Sequence, residues 1–189
     1  MTNTKFMIAV TLAVAALTGT SACTKGDPKP VPVTSSATAT TATPTSTSLS
    51  PDEQRVADAE STVLDFWATQ DRLGQNPDLP ISELLKVTRG TAFDTWSKQL
   101  QVSRVQQHRQ IGDTQLVQVS GTSVAATERP TVKVTVCYDV SKVNVVDKDG
   151  RSIIAPDRNP RAKAVYTVMQ YKDGWFVADD DTRGEPCAG

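Results

Sequence analysis

The amino-acid sequence predicts an α+β domain in which N-terminal helices pack on a curved antiparallel sheet of about four strands. Between residues 51 and 100, apolar residues recur every three or four positions, as they do along one face of a helix. After Gly112 the period falls to two, the period of a strand with one buried face. Helices followed by a run of strands, without alternation between the two, are typical of the α+β class.

The first helix is predicted to begin at a capping box. Ser50 stands at the N-cap position, Pro51 at the first helical position and Glu53 three residues after the cap. The pattern continues to about Leu73, where Gly and Pro residues follow. The apolar residues at helical spacing are Val56, Ala59, Val63, Phe66 and Trp67.

Two further helices are predicted before the strands. A short helix over 81–87 is followed by Gly90, which suits the left-handed position after a helix end. Thr91 and Asp94 have the spacing of a second capping box, so a third helix is expected to begin there. Its apolar line consists of Phe93, Trp96 and Leu100.

Four strands are predicted, over 115–127, 131–140, 162–171 and 175–178. In the first strand, Val117 and Val119 alternate with polar neighbours and are expected to share a face. The third strand is apolar on both faces, which predicts a central position. A bend is expected near 141–143 and a turn at 147–150. The second strand has the clearest alternation, with Val132, Val134, Val136, Tyr138 and Val140 on one face.

Residues 1–22 have the layout of a bacterial export signal. Lys5 precedes an apolar run over 6–17 and then small residues. Twelve helical residues rise about 18 Å, which is short of the roughly 30 Å hydrocarbon core. The end of this segment, Ser21, Ala22 and Cys23, resembles the lipobox of bacterial lipoproteins, which implies cleavage before Cys23 and its lipidation. Thr20 replaces the family's usual aliphatic residue, so an ordinary signal-peptidase site and a secreted protein are the alternative.

Residues 23–50 are predicted to be a lipidated cysteine followed by a disordered tether. The segment consists mostly of Thr, Ser, Ala, Pro and Val, without aromatic residues or apolar periodicity. The α+β domain then covers 51–189. The formal net charge of the chain is −1. This near-neutral balance argues against a nucleic-acid binder, which normally carries a clustered basic surface, and no cofactor is expected.

The three cysteines predict one disulfide. A leftover thiol in an exported chain needs an explanation, and lipid on Cys23 supplies it. Cys137 and Cys187 can then pair in an oxidising compartment. Strand parity places Cys137 opposite the valine face, so the C-terminal tail must cross that face to reach it. Two separate thiols are the alternative.

No metal or catalytic constellation stands out. His108, the only histidine, lies in a polar stretch at a helix end, and one histidine with two paired cysteines cannot supply a zinc site. The segment 147–150 resembles the start of a calcium loop but lacks the third oxygen position and the later acid, which favours a hairpin turn. The acidic run 179–181 is expected to be a solvated strand end. An anion-binding surface could be lined by four loop arginines (Arg151, Arg158, Arg161, Arg183), but loop arginines of a near-neutral protein are expected to be solvent-exposed. The three tryptophans, Trp67, Trp96 and Trp175, are expected to pack in the core.

The order of these elements resembles the NTF2-like (cystatin-like) superfamily over about residues 50–183. The resemblance implies a curved sheet around a long N-terminal helix and a pocket between them. Enzymes of that superfamily place Asp, His or Tyr in the pocket, and parity directs only Tyr138 of the second strand inwards. The whole chain is also similar to small actinobacterial or actinophage lipoproteins of unassigned function, through the lipobox-like start, the spacer, the turn at 147–150 and the Cys187 tail.

These observations lead to one main functional hypothesis. It is a lipid-anchored extracytoplasmic protein that acts as a non-enzymatic binding or accessory module for a protein or a small apolar ligand. The alternatives are a pocket enzyme of the isomerase, dehydratase or cyclase type, with Tyr138 and His108 as candidate residues, and a phage-related surface exclusion factor. A deep pocket with an inward carboxylate would favour the enzyme, and a filled core with an exposed apolar patch would favour the binding module or the exclusion factor.

Overall fold

The computed structural model describes residues 49–125, 127–182 and 184–187. The predicted signal peptide, Cys23 and the tether as far as residue 48 lie outside the described residues. Two α-helices precede the main sheet, α1 (Pro51–Gln75) and α2 (Gly90–Val105), with a 3-10 helix (Ile81–Lys86) between them. No helix in the described part of the chain is long and apolar enough to cross a membrane.

The capping box at the start of α1 is confirmed. The backbone N–H of Glu53 donates to Ser50 Oγ at 3.3 Å, and the backbone N–H of Ser50 donates to Glu53 Oε2 at 2.7 Å. These hydrogen bonds with Ser50 lower the pKa of the Glu53 carboxyl below its ordinary value. The helix begins where the sequence predicts and continues two residues beyond Leu73.

The capping box predicted for α2 is wrong. Arg89 occupies the N-cap position, and no side chain caps the helix. Thr91 Oγ1 instead donates to the backbone carbonyl of Ala178 at 3.2 Å, which docks the helix on the last strand. Gly90 has φ of 56°, in agreement with its predicted left-handed conformation.

Four antiparallel strands form the main sheet, and the third of them pairs on both sides, as predicted. A separate ribbon, in which β1 (Arg109–Ile111) pairs with β4 (Asn144–Val146), was not predicted, because three-residue strands carry too little periodicity to be recognised. The bend expected near 141–143 is a turn that leads the chain out of the main sheet into β4, with Val143 N–H donating to Val140 O. The strands are β1 (Arg109–Ile111), β2 (Gln115–Val124), β3 (Thr131–Asp139), β4 (Asn144–Val146), β5 (Arg161–Tyr171) and β6 (Gly174–Asp180), and the main sheet has the order β2-β3-β5-β6.

A bulge in β2 overturns the prediction that Val117 and Val119 share a face. The pairing with β3 shifts between Leu116 and Gln118, so Val117 is skipped in the register. The Val117 side chain is 54% exposed, whereas Val119 packs against the core. The strand also ends at Val124, three residues earlier than predicted.

The core lies between α1 and the inner face of the sheet. Gly121 allows the closest approach, because a Cβ atom at this position would lie 2.8 Å from Val56 Cγ1. Glu60 Oε1 accepts the Gly121 N–H at 2.7 Å, which further ties α1 to β2. The fully buried members of this core include Ala59, Val63, Phe66, Val134, Val136, Ala164, Tyr166, Val168 and Val177.

The disulfide predicted between Cys137 and Cys187 is present. Lys163 N–H donates to Glu185 O at 2.7 Å, which holds the C-terminal tail beside the start of β5. From there the tail crosses the outer face of the sheet to β3, as strand parity predicts. The disulfide therefore attaches the C-terminal tail to β3, a central strand of the main sheet.

Candidate functional site

A cluster of aromatic rings fills the interior next to α1. The ring centroids of Phe66 lie 5.4 Å from Trp96 and 5.3 Å from Tyr166, both in edge-to-face geometry. The Trp67 ring lies 5.0 Å from Tyr138. The prediction that Trp67 and Trp96 pack in the core is confirmed, and Trp175 also packs against it.

Asp180 brings a carboxylate to this cluster. The β5–β6 register shifts between Thr167 and Val168, so Asp180 pairs with Tyr166 on the inner face. Its Oδ2 accepts the indole N–H of Trp96 at 2.9 Å. Burial, and secondly the charge of Asp180, raises the pKa of both Tyr138 and Tyr166. The expectation of a solvated strand end is therefore wrong for Asp180, because an unbulged strand would direct Asp179 inwards instead.

Two neighbouring cavities border the second half of α1 and share Trp67, Asp71 and Thr114. The outer groove, between α1 and the start of β2, has a volume of about 460 Å³. The inner cavity, between α1, α2 and the β1–β4 ribbon, has a volume of about 230 Å³. The outer groove is also lined by Leu64, Ala68, Arg72, Gln75, Asp113 and Leu116, and the inner cavity by residues that include Gln70, Trp96, Leu100, Ser103, Val140 and Val143.

Asp71 is a buried carboxylate on the wall that separates the two cavities. It is 7% exposed. Its Oδ1 accepts hydrogen bonds from Gln110 Nε2 at 2.6 Å and from Thr114 Oγ1 at 2.9 Å, and its Oδ2 accepts from Thr114 N at 2.8 Å. The side chain therefore joins α1 to β1 and to the start of β2.

Sequence reasoning did not single out Asp71, although a signal was present. Val63, Trp67 and Asp71 follow one another at intervals of four residues, so all three lie on one face of α1. A carboxylate on the apolar face of a helix is expected to be paired when it is buried.

The residues proposed for catalysis do not converge. Tyr138 packs on Trp67, and His108 lines a separate groove with Arg104 and Asp147. Neither side chain lines the two cavities beside α1. No group of three or more His, Cys, Asp or Glu residues that could hold a metal ion is found among the described residues.

The loop arginines are less free than the sequence analysis expected. Arg158 Nη2 donates to the carbonyls of Val140 at 2.8 Å and Val143 at 2.9 Å. Arg161 Nε donates to Asp139 Oδ2 at 2.7 Å. Arg151 is exposed and pairs with acids of the neighbouring turn, and Arg183 lies outside the described residues. The three described arginines therefore bond to three separate parts of the chain.

The turn predicted at 147–150 is confirmed. Gly150 N–H donates to Asp147 O at 3.0 Å, and Gly150 has φ of 79°. Asp147 Oδ1 accepts the backbone N–H groups of Asp149 and Arg151, both at 2.9 Å. The hydrogen bond from the Arg151 backbone is the main cause that lowers the pKa of the Asp147 carboxyl.

Comparison with known proteins supports the fold class alone. No protein family matches the sequence, and no curated protein matches it. The crystal structure of the intermembrane space region of the chloroplast protein ARC6 is similar at a TM-score of 0.51 and 16% identity, covering 67% of this chain and 95% of that chain. A solution NMR structure of a de novo designed β-sheet protein matches at 15% identity, 72% and 92% coverage and a TM-score of 0.33, too low to define a common fold.

Proposed function

We propose that the chain is an extracytoplasmic lipoprotein, anchored through Cys23, whose folded domain is a non-enzymatic binding module for a small, largely apolar ligand. The observation that carries this proposal is the pair of cavities around Trp67, in which the buried carboxylate of Asp71 already accepts three hydrogen bonds from the protein. Small-molecule sites are typically concave and mostly apolar, with a few polar groups that orient the ligand.

The walls of the two cavities fit such a ligand. Leu64, Ala68 and Leu116 contribute apolar surface to the outer groove, and Trp96 and Leu100 contribute it to the inner cavity. The outer groove also has polar lining residues: Asp71, Arg72, Gln75, Asp113 and Thr114. Gln70 also lines the inner cavity, and its Nε2 is buried without a hydrogen-bond partner in the described part of the chain. A ligand acceptor that reaches this amide would relieve the cost of the unpaired donor.

The same geometry argues against an isomerase, dehydratase or cyclase. General acid–base catalysis needs a titratable group within hydrogen-bond reach of the substrate. Both oxygens of Asp71 already accept protein hydrogen bonds. Burial raises the pKa of Tyr138, which keeps the phenol protonated and unsuited to act as a base.

We further assign the domain to the NTF2-like (cystatin-like) arrangement. Three features support the assignment: the order of helices before strands, the packing of α1 on the inner face of the sheet, and the bulges in β2 and β6. Bulges increase the local bend and twist of a sheet, as a sheet curved around a helix requires.

The lipid anchor is supported by the cysteine pairing and tested by intact mass. Because Cys137 pairs with Cys187, the sequence has no further cysteine that could form a disulfide with Cys23. Protein recovered from bacterial membranes is expected to have the mass of residues 23–189 plus diacylglycerol, and Cys23→Ala is expected to lose that mass. An unlipidated mass that begins at Cys23, recovered from the medium, would contradict the anchor.

Ligand binding is tested with the neutral apolar fluorophore N-phenyl-1-naphthylamine. The fluorophore is expected to bind the full-length domain at one saturable site and to change the emission of Trp67 and Trp96. Ala68→Phe fills the outer groove and is expected to weaken binding about tenfold or more, since 1.4 kcal/mol corresponds to a factor of ten. Ser61→Phe is the matched control, because Ser61 is exposed on the same helix two turns away and does not line the groove. Equal loss in both variants, or non-saturable binding, would contradict the site.

A further inference from the structure

We propose that a second groove, at the C-terminal end of α2, binds a phosphate group. The groove has a volume of about 390 Å³ and shares no lining residue with the cavities beside α1. The inference goes beyond the proposed function and does not depend on it. Three cationic side chains, Arg104, Arg109 and Lys148, line the groove together with the imidazole of His108.

Two of these side chains, both arginines, have no acidic partner among the residues that the structure describes. Neither Arg104 nor Arg109 forms an ion pair with any residue that the structure describes. Arg104 Nη2 donates to Leu79 O at 2.7 Å, which fixes the guanidinium at the groove without neutralising it. Two arginines with uncompensated charge therefore lie at one concave surface.

The carboxylate in the groove does not cancel this charge. Asp147 is the only acid among the lining residues, and its Oδ1 accepts two backbone N–H groups. Its Oδ2 lies 3.4 Å from Nε of Arg151, a residue that does not line the groove. Lys148 is likewise balanced, with its Nζ 2.9 Å from Asp149 Oδ1. The excess positive charge of the groove thus comes from Arg104 and Arg109.

The backbone at the groove is strained. Gln107 N–H donates to Arg104 O and His108 N–H donates to Ser103 O, which is the hydrogen-bond pattern of a Schellman cap. Gln107 occupies the left-handed position with φ of 56°, where glycine is usual. This conformation reverses the chain so that His108 and Arg109 follow Arg104 into the groove. Strained positions of this kind cluster at binding sites.

The helix end by itself does not explain the cluster. A helix C-terminus favours cations in its last turn, which accounts for Arg104. Arg109 lies beyond the helix, in β1, and is exposed without a charged partner among the described residues. Guanidinium groups match phosphate oxygens in bidentate geometry, and an uncompensated pair of them is the feature that selects a phosphate over a halide. The phosphate could belong to a soluble ester or to a phospholipid headgroup.

The test uses the ring resonances of His108, the only histidine in the chain, as a single NMR reporter. Inorganic phosphate, added to the full-length domain at constant pH and ionic strength, is expected to shift these resonances saturably. Arg109→Gln is expected to weaken the apparent affinity about tenfold, as for the loss of a hydrogen bond to a charged group. Lys98→Gln, which removes an exposed cation from α2 away from the groove, is expected to leave it unchanged.

Two further experiments distinguish a soluble phosphate ester from a phospholipid headgroup, and three outcomes would contradict the phosphate site. Glycerol 3-phosphate that competes with inorganic phosphate supports a soluble ester, whereas sedimentation with phosphatidylglycerol vesicles but not phosphatidylcholine vesicles, lost in Arg109→Gln, supports a headgroup. Sodium chloride that produces the same shift, an unchanged titration in Arg109→Gln, or an equal loss in Lys98→Gln would overturn the phosphate site.

Discussion

The carboxylates of Asp71, Asp139 and Asp180 are all buried or half-buried, and each has a different set of donors. Asp71 is held by Gln110 and Thr114, and Asp180 by Trp96. Asp139 lies on the outer face of β3 and is covered by Arg161. Strand parity predicted that the Asp139 side chain points outwards. It did not predict the partner, because Arg161 follows Asp139 by 22 residues, at the start of β5.

The hydrogen bonds of the Asp139 carboxylate lead us to expect that the folded protein loses stability in acid. Hydrogen bonds from Ser141, and secondly from Arg161, hold the pKa of the Asp139 carboxyl well below its ordinary value. A lowered pKa in the folded state contributes stability above the unfolded value and loses it as the pH falls. The free energy of unfolding is therefore expected to decrease as the pH falls below about 4.

The measurement is urea unfolding between pH 7 and pH 2. Asp139→Asn is expected to be less stable at pH 7 and to have a flatter pH profile below pH 4. Asp94→Asn serves as the control, because Asp94 is exposed and has no side-chain hydrogen bond among the described contacts. Parallel profiles for the wild type and Asp139→Asn would contradict the assignment.

The left-handed backbone of Gln107 leads us to expect that glycine at this position is more stable than alanine. Its left-handed backbone costs about 1–2 kcal/mol for a residue with a Cβ atom, and glycine avoids this cost. Part of the gain is offset because glycine has more conformational freedom in the unfolded chain. We expect Gln107→Gly to be about 1 kcal/mol more stable than Gln107→Ala in urea unfolding. Equal stability of the two variants would show that the position is not strained.

At the scale of elements, the two bulges determine which side chains reach the interior. Without the bulge in β2, Leu116 would lie on the outer face, and without the bulge in β6, Asp179 would replace Asp180 next to Tyr166. Each shift reverses the facing of the residues on one side of the bulge, because side chains alternate with a period of two.

The contact of α1 with β2 predicts the effect of a methyl group at Gly121. A Cβ atom there would lie 2.8 Å from Val56 Cγ1 and 3.2 Å from Val132 Cγ1. Gly121→Ala is expected to cost about 1–3 kcal/mol of unfolding free energy, as overpacking does elsewhere. Adding Val56→Ala is expected to recover part of this loss, so the double variant should be more stable than the sum of the two single changes predicts. Strict additivity in urea unfolding would contradict the close approach.

At the scale of the whole molecule, the disulfide closes a loop that contains two of the four strands of the main sheet. Cys137 in β3 and Cys187 in the tail are separated by 50 residues, and β4, β5 and β6 lie between them. Cross-linking residues this far apart restricts the unfolded chain strongly, since loop-closure entropy increases with loop length.

Removing the bridge tests this contribution. The Cys137→Ala/Cys187→Ala variant is expected to lose up to about 4 kcal/mol of unfolding free energy, the value of the chain-entropy model for this loop length. Reduction of the wild-type protein is the matched comparison, because it opens the bridge without any substitution. A loss below about 1 kcal/mol would mean that the tail restricts the unfolded chain very little.

The sequence by itself determined the α+β class, the start of α1, the central position of β5, the turn at 147–150 and the pairing of Cys137 with Cys187. These features depend on local periodicity, capping chemistry and cysteine count, which can all be recognised in a single sequence. Only the tertiary structure decided the two bulges, the β1–β4 ribbon and the donors around Asp71. Bulges and buried hydrogen bonds depend on partners from distant segments. A local sequence pattern does not specify which residues of those segments will face it in the fold.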